Sequence, residues 1–139
     1  MERAGGCLCG AVRFTARLKS DTLGACHCGM CRKWSGGPLI AVQTEGITFG
    51  PTETLKTYAS SAWAERGFCV ACGSSVFYRL TVPGSDPGHV HLAAGALDDL
   101  DGLSLTHEVF VDNRPEGYAF AGDLRGMTEA EVMAMFAPK

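Results

Sequence analysis

The sequence predicts a mainly β domain tied by metal ions, with a short helix near its C-terminus. Short apolar or alternating runs are cut by glycine and proline, as at Gly36-Gly37-Pro38, Gly50-Pro51, Pro83-Gly84 and Pro87-Gly88. Such punctuation marks strands and turns. Helical periodicity is scarce. Seven cysteines fall into three clusters, Cys7/Cys9, Cys26/Cys28/Cys31 and Cys69/Cys72.

Strands are expected at residues 11–16, 38–44, 53–58, 64–68, 75–80, 89–94 and 108–111. Residues 39–42 and 91–94 look the most buried. A turn of helix is expected after Cys28, to about Trp34. The firmest helix starts at Thr128-Glu129-Ala130-Glu131, a capping box: the Thr128 hydroxyl can accept the N3 amide and Glu131 can reach back. Met127 and Val132 occupy the staple positions, and the helix should run through Met133 and Met135 to about Phe136. Residues 83–88 and 98–101 read as exposed loops, the latter lacking a full calcium-loop pattern.

The 139 residues fit one domain, 1–139, and 46% hydrophobic residues can build a core. A net charge of −3 argues against a basic nucleic-acid-binding surface, and no nucleic-acid partner is expected. No apolar run reaches the roughly 18 residues of a membrane span. Met1-Glu2-Arg3-Ala4-Gly5-Gly6-Cys7 lacks the apolar stretch of a secretory signal, so the expected location is cytoplasmic, where thiols stay reduced. That setting and the odd cysteine count favour metal binding over disulfides.

Two short ligand pairs separated by a long loop are the usual construction of a structural zinc site. Cys7/Cys9 and Cys69/Cys72 supply them, each pair followed by a glycine that relieves a tight turn. Cys26, Cys28 and Cys31 can bind one face of a second ion from one loop, which leaves a fourth position open. His27, His89, His91, His107, a carboxylate, water or a bound thiol are the candidates for that position. His27 is a poor one, because a residue between two ligands in an extended segment points away from them. Spacing alone also leaves open that the middle cluster completes one four-ligand site with parts of the others.

Three thiolates outweigh the charge of zinc, so the open position is a weak activator of water. It suits soft sulfur, and a thiol entering it would be deprotonated. A held thiolate can attack a carbonyl carbon or be released from one. The natural small thiol of a reducing cytoplasm is glutathione.

The runs Gly6-Cys7-Leu8-Cys9-Gly10-Ala11-Val12, Cys26-His27-Cys28-Gly29-Met30-Cys31-Arg32 and Phe68-Cys69-Val70-Ala71-Cys72-Gly73-Ser74 resemble the glutathione-dependent formaldehyde-activating enzyme family, which shares a domain with centromere protein V. The resemblance covers nearly the whole chain. It implies a zinc-bound β-tent fold, a structural zinc on Cys7, Cys9, Cys69 and Cys72, and a catalytic-type zinc on Cys26, Cys28 and Cys31. It further implies a carbon–sulfur lyase acting on S-(hydroxymethyl)glutathione. The alternative is a non-catalytic zinc module that carries glutathione or binds a protein partner. Family members often place a tryptophan close after a basic residue and a proline; this chain reads Arg114-Pro115-Glu116-Gly117, with Tyr118 next.

Arg32 is the candidate for pairing a glutathione carboxylate, since arginine does so in bidentate fashion. Lys33 and Arg66 also adjoin cysteine motifs and read equally as solvated charges. Trp34, beside Gly36-Gly37, is the candidate wall of a ligand cleft or else a core aromatic. His107 reads as a strand-edge histidine bonded to backbone. His89 and His91 share one face of a strand.

Overall fold

Glycine and proline divide the chain into short elements, and the computed structural model describes residues 1–135 of them. In chain order these are β1 (Glu2–Gly6), β2 (Arg13–Leu18), β3 (Thr22–Cys26), α1 (Gly29–Ser35), β4 (Leu39–Phe49), β5 (Leu55–Ser61), β6 (Ala64–Cys69), β7 (Ser75–Leu80), β8 (His91–Ala93), β9 (Ser104–Val109), β10 (Arg125–Met127) and α2 (Glu129–Ala134). Single 3-10 turns follow β8 and β9. The fold is mainly β with a short C-terminal helix, as the sequence predicts. Phe136, the expected end of that helix, lies outside the described residues. No described helix is long and apolar enough to cross a membrane.

The chain divides into two compact units, and one of the three points where it passes between them falls inside β4. The first comprises Met1–Asp21 and Ala41–Leu103. Here β1 pairs β2, β2 pairs β4, and β4-β8-β7-β6-β5 run antiparallel in that order. β2 alternates buried Phe14, Ala16 and Leu18 with exposed Arg13, Thr15 and Arg17, the period-2 signature of a half-buried strand. Phe14 meets Phe49 edge-on at 6.0 Å, and Phe49 meets Phe77 at 5.8 Å. Val12, Val42, Val76, Val90 and Leu92 fill the remaining core. Buried Thr44 is satisfied twice, donating to the Gly88 carbonyl at 2.8 Å and accepting the Val90 N–H at 3.1 Å.

The second unit comprises Thr22–Ile40 and the chain from Ser104 onward. β3 and β10 flank β9 in a parallel trio, in which Ala25 lies opposite Glu108 and Cys26 opposite Val109. α1 leaves the end of β3 and is closed by Gly36 at φ 82°. The capping box forms as expected: Thr128 Oγ1 accepts the Glu131 N–H at 3.2 Å, and the Thr128 N–H reaches Glu131 Oε1 at 3.4 Å. Asp112 adds an acceptor for the Glu129 N–H at 2.9 Å.

Several boundaries differ from expectation. β4 extends to Phe49 because residues 44–49 pair with β2. β9 begins at Ser104 and stops at Val109, where Phe110 takes φ 56° and turns the chain. β1, β3 and β10 carry glycine or charge in place of an apolar run. His107 is on the middle strand of its trio, not an edge, and its Nδ1 lies 3.1 Å from the Thr106 hydroxyl instead of a backbone group. The 98–101 loop is exposed but paired: Asp98 takes Arg13 and Asp99 takes Arg3.

Candidate metal centres

Cys7 and Cys69 each open a turn of the same design. The Cys7 N–H donates to the Val12 carbonyl at 3.0 Å, and the Cys69 N–H to the Ser74 carbonyl at 3.0 Å. Inside each turn a glycine N–H returns to the cysteine carbonyl, Gly10 to Cys7 at 3.2 Å and Gly73 to Cys69 at 2.8 Å. Gly10 and Gly73 take φ 82° and 81°, the left-handed region that a Cβ disfavours, as expected of a glycine closing each turn.

The two turns bring four sulfurs together. The Sγ atoms of Cys7, Cys9, Cys69 and Cys72 all lie within 4.8 Å of one another. Cys7–Cys9 is 3.6 Å and Cys9–Cys69 is 3.9 Å. A tetrahedron with zinc–sulfur bonds near 2.3 Å has sulfur–sulfur edges of about 3.8 Å. The spacing therefore fits a four-thiolate zinc site and is far too long for the roughly 2.05 Å of a disulfide. No disulfide forms among the described residues.

The surrounding donors favour the thiolate at Cys69 and Cys72, whereas at Cys9 the Ala11 N–H is outweighed by contacts with Cys7, Cys72 and Cys69, which push the thiol up to about 11. The Val12 N–H donates to Cys7 Sγ at 3.2 Å. The Ser74 hydroxyl lies 3.2 Å from Cys72 Sγ and, with the backbone N–H groups of Cys9 and Ser74, holds that thiol at about 5. The Thr54 hydroxyl, 3.5 Å from Cys69 Sγ, lowers the Cys69 thiol. These hydroxyls escape sequence reading; the hint is the serine directly after Cys72-Gly73.

Cys26, Cys28 and Cys31 form the second group, again with all sulfurs within 4.8 Å. Cys26 ends β3. Cys28 is the N-cap of α1, with φ −62° and ψ 155°, and its Sγ accepts the Cys31 N–H at 3.3 Å. Cys31 sits in the first turn of the helix and is buried, whereas Cys26 and Cys28 are half-buried. Hydrogen bonds with Cys28 and Cys31, then burial, push the Cys26 thiol far up. Three soft donors on one face fit a zinc ion with an open position. Among the described residues no histidine or carboxylate joins this group.

His27 turns away from the thiols, as the alternation of an extended segment requires. It is 1% exposed, and its Nε2 lies 2.8 Å from Glu108 Oε1. Arg114 Nη1 donates to Glu108 Oε1 at 3.0 Å and Oε2 at 3.3 Å. Tyr118 and Phe120 stand 6.3 Å and 5.9 Å from the His27 ring. Sequence reading misses Glu108; the one signal is its place at the head of the strand expected at 108–111, and a buried glutamate is unusual. Arg32 and Lys33 are exposed in the last turn of α1, and Trp34 is half-buried there. Arg66 is buried in β6 with its guanidinium 5.0 Å from the Tyr78 ring centre.

A mainly β chain bearing one four-thiol cage and one three-thiol face has donor groups suited to metal ions at both. The model of the glutathione-dependent formaldehyde-activating enzyme family matches residues 2–113, and the chain belongs to that family. It is 32% identical over 133 residues to an uncharacterized lyase of Schizosaccharomyces pombe, covering 95% of each chain. It is 30% identical over 125 residues to a Halomonas elongata protein named for glutathione-dependent formaldehyde activation, covering 81% of this chain and 76% of that one. A crystal structure of a Rhodobacter sphaeroides protein shares the fold, with TM-score 0.57 and 24% identity over 74% of this chain and 99% of the other.

Proposed function

We propose that residues 1–139 form one zinc-dependent carbon–sulfur lyase-type domain that acts on a glutathione adduct of formaldehyde, S-(hydroxymethyl)glutathione. The observation that carries this reading is the three-sulfur face of Cys26, Cys28 and Cys31, two of its thiols half-buried. The family and the names of its relatives support the substrate class.

Cys7, Cys9, Cys69 and Cys72 would hold a structural zinc, and Cys26, Cys28 and Cys31 a catalytic-type one. A zinc ion with three thiolate ligands supplies an open position that favours a substrate thiolate over water. In the forming direction the glutathione sulfur attacks the formaldehyde carbon, a carbon–sulfur bond forms, and the carbonyl oxygen takes the proton the thiol gives up. In the reverse direction the hydroxyl loses its proton, the carbon–sulfur bond breaks, and sulfur leaves with the electron pair. Arg32, exposed on the helix that carries Cys31, is the proposed partner of a glutathione carboxylate, and Trp34 the proposed wall of its cleft. The reading places the protein in a reducing, cytoplasmic compartment, where seven cysteines without a disulfide are at home.

The test follows exchange between formaldehyde and glutathione by NMR. Acceleration above the uncatalysed rate that vanishes in Cys28→Ala supports an enzyme. Glutathione binding with exchange at the background rate rejects it in favour of a carrier.

A further inference from the structure

We propose that His27 is a positioning residue for the three-cysteine face, set by Glu108 and Arg114. Cys26 and Cys28 flank it in an extended stretch, so the two thiols project to one side and the imidazole to the other. Fixing the imidazole therefore fixes the rotation of the whole Cys26-His27-Cys28 segment about its axis.

The structure fixes it at two points on one strand. The His27 N–H donates to the Val109 carbonyl at 3.1 Å, and the side chain reaches Glu108 Oε1 at 2.8 Å. A carboxylate only accepts, so the ring nitrogen facing it carries the proton. Glu108 is 6% exposed and would be costly to bury alone; Arg114 Nη1, shared between both its oxygens, offsets that cost. Tyr118 and Phe120 close around the ring.

A second observation separates this role from plain packing. His27 Nδ1 is buried with no hydrogen-bond partner. An unpaired buried nitrogen is a penalty that a leucine or phenylalanine would avoid. What the histidine supplies there is its Nε2–H donor to Glu108, which an apolar residue lacks.

The proposal rests on the reading that Cys26, Cys28 and Cys31 hold a metal ion. The experiment loads the full chain with cobalt(II) and follows thiolate-to-cobalt and d–d absorption, with Cys28→Ala identifying the signal of the three-cysteine site. The expected result is that Glu108→Ala weakens cobalt at that site about 10- to 100-fold and alters its spectrum, as loss of an outer support does. The four-cysteine site should stay unchanged. Glu108→Gln, which still accepts from Nε2–H, should recover most of the affinity. Wild-type cobalt binding in Glu108→Ala overturns the proposal, as does equal loss from both sites or a glutamine variant no better than alanine. Should Glu108→Ala fail to fold, Arg114→Ala must still weaken the three-cysteine site selectively; loss shared by both sites overturns it. A wild-type chain that binds one cobalt only, unaffected by Cys28→Ala, instead sinks the metal-site reading beneath it.

Discussion

Ser74 Oγ accepts the Leu8 N–H at 2.9 Å, so one hydroxyl joins two cysteine turns that stand 66 residues apart. The same oxygen lies 3.2 Å from Cys72 Sγ. Ser74→Ala is expected to weaken metal at the four-cysteine site about tenfold or more, the usual effect of losing an outer hydrogen bond. Stability should fall by about 1 kcal/mol. Chelator competition and thermal unfolding read the two effects, and a variant with wild-type metal retention would show that Ser74 is a bystander.

Loss of ligands should separate the two centres. Cys69 is fully buried in the four-sulfur group, and Cys69→Ser should abolish or sharply lower the cooperative unfolding transition with one metal ion lost, since binding at such a site is folding energy. Cys28→Ala should lose one ion too, yet unfold within about 4 °C of wild type, roughly 1 kcal/mol for a chain of this size. Its formaldehyde–glutathione exchange should fall to background. Native mass spectrometry counts the ions. A Cys28→Ala chain that unfolds as early as Cys69→Ser would erase the distinction.

Acid should empty the centres in order. A metal ion must displace the proton of each thiol it binds, so affinity falls as pH falls. A thiol with a raised pKa keeps its proton to higher pH, and the loss begins sooner; a depressed pKa postpones it. Cys26 is raised far up by its contacts with Cys28 and Cys31; in the four-cysteine group contacts among the thiols push Cys9 up less, to about 11, and the Ser74 hydroxyl and backbone N–H groups bring Cys72 down to about 5. Thr54 lowers Cys69 as well. On titration from pH 8 downward, the three-cysteine site should release its ion at a higher pH than the four-cysteine site. Release monitored by a zinc-sensitive dye on wild type and Cys28→Ala assigns each step, and the opposite order would contradict the reading.

Gly24 carries the His107 imidazole directly over its Cα, and a Cβ there would collide with the ring. Gly24→Ala should cost about 1–3 kcal/mol, the range for overpacking a closed site. Because Gly24 lies two residues before Cys26, the three-cysteine site should weaken as well. His107→Ala should restore part of the loss in the double variant, a coupling that a thermodynamic cycle measures. Additive losses would place the strain elsewhere.

The sequence makes the two sulfur groups legible because their ligand pairs are local. The glycines after Cys9 and Cys72, the capping box at Thr128 and the strand at 75–80 are local in the same sense, and the structure agrees with each. β1 and β3 escape because their glycines read as loop. Gly5 faces the Phe14 ring and Gly24 the His107 ring, so these positions are glycine on account of residues 9 and 83 places away, which no window of sequence reveals. The same distance hides Ser74 from Leu8 and Glu108 from His27, 81 residues apart. Hydrogen-bond partners at that range are set by strand register, and register is a property of the assembled sheet.

The two sulfur groups also differ in when a growing chain can complete them. Cys26, Cys28 and Cys31 are spelled out within one short stretch, while Cys9 must wait for Cys69, 60 residues later. Closing the longer loop costs more chain entropy. During synthesis or refolding the first ions captured should therefore settle on residues 26–31, so that the labile centre is the earliest to fill and the durable one the last.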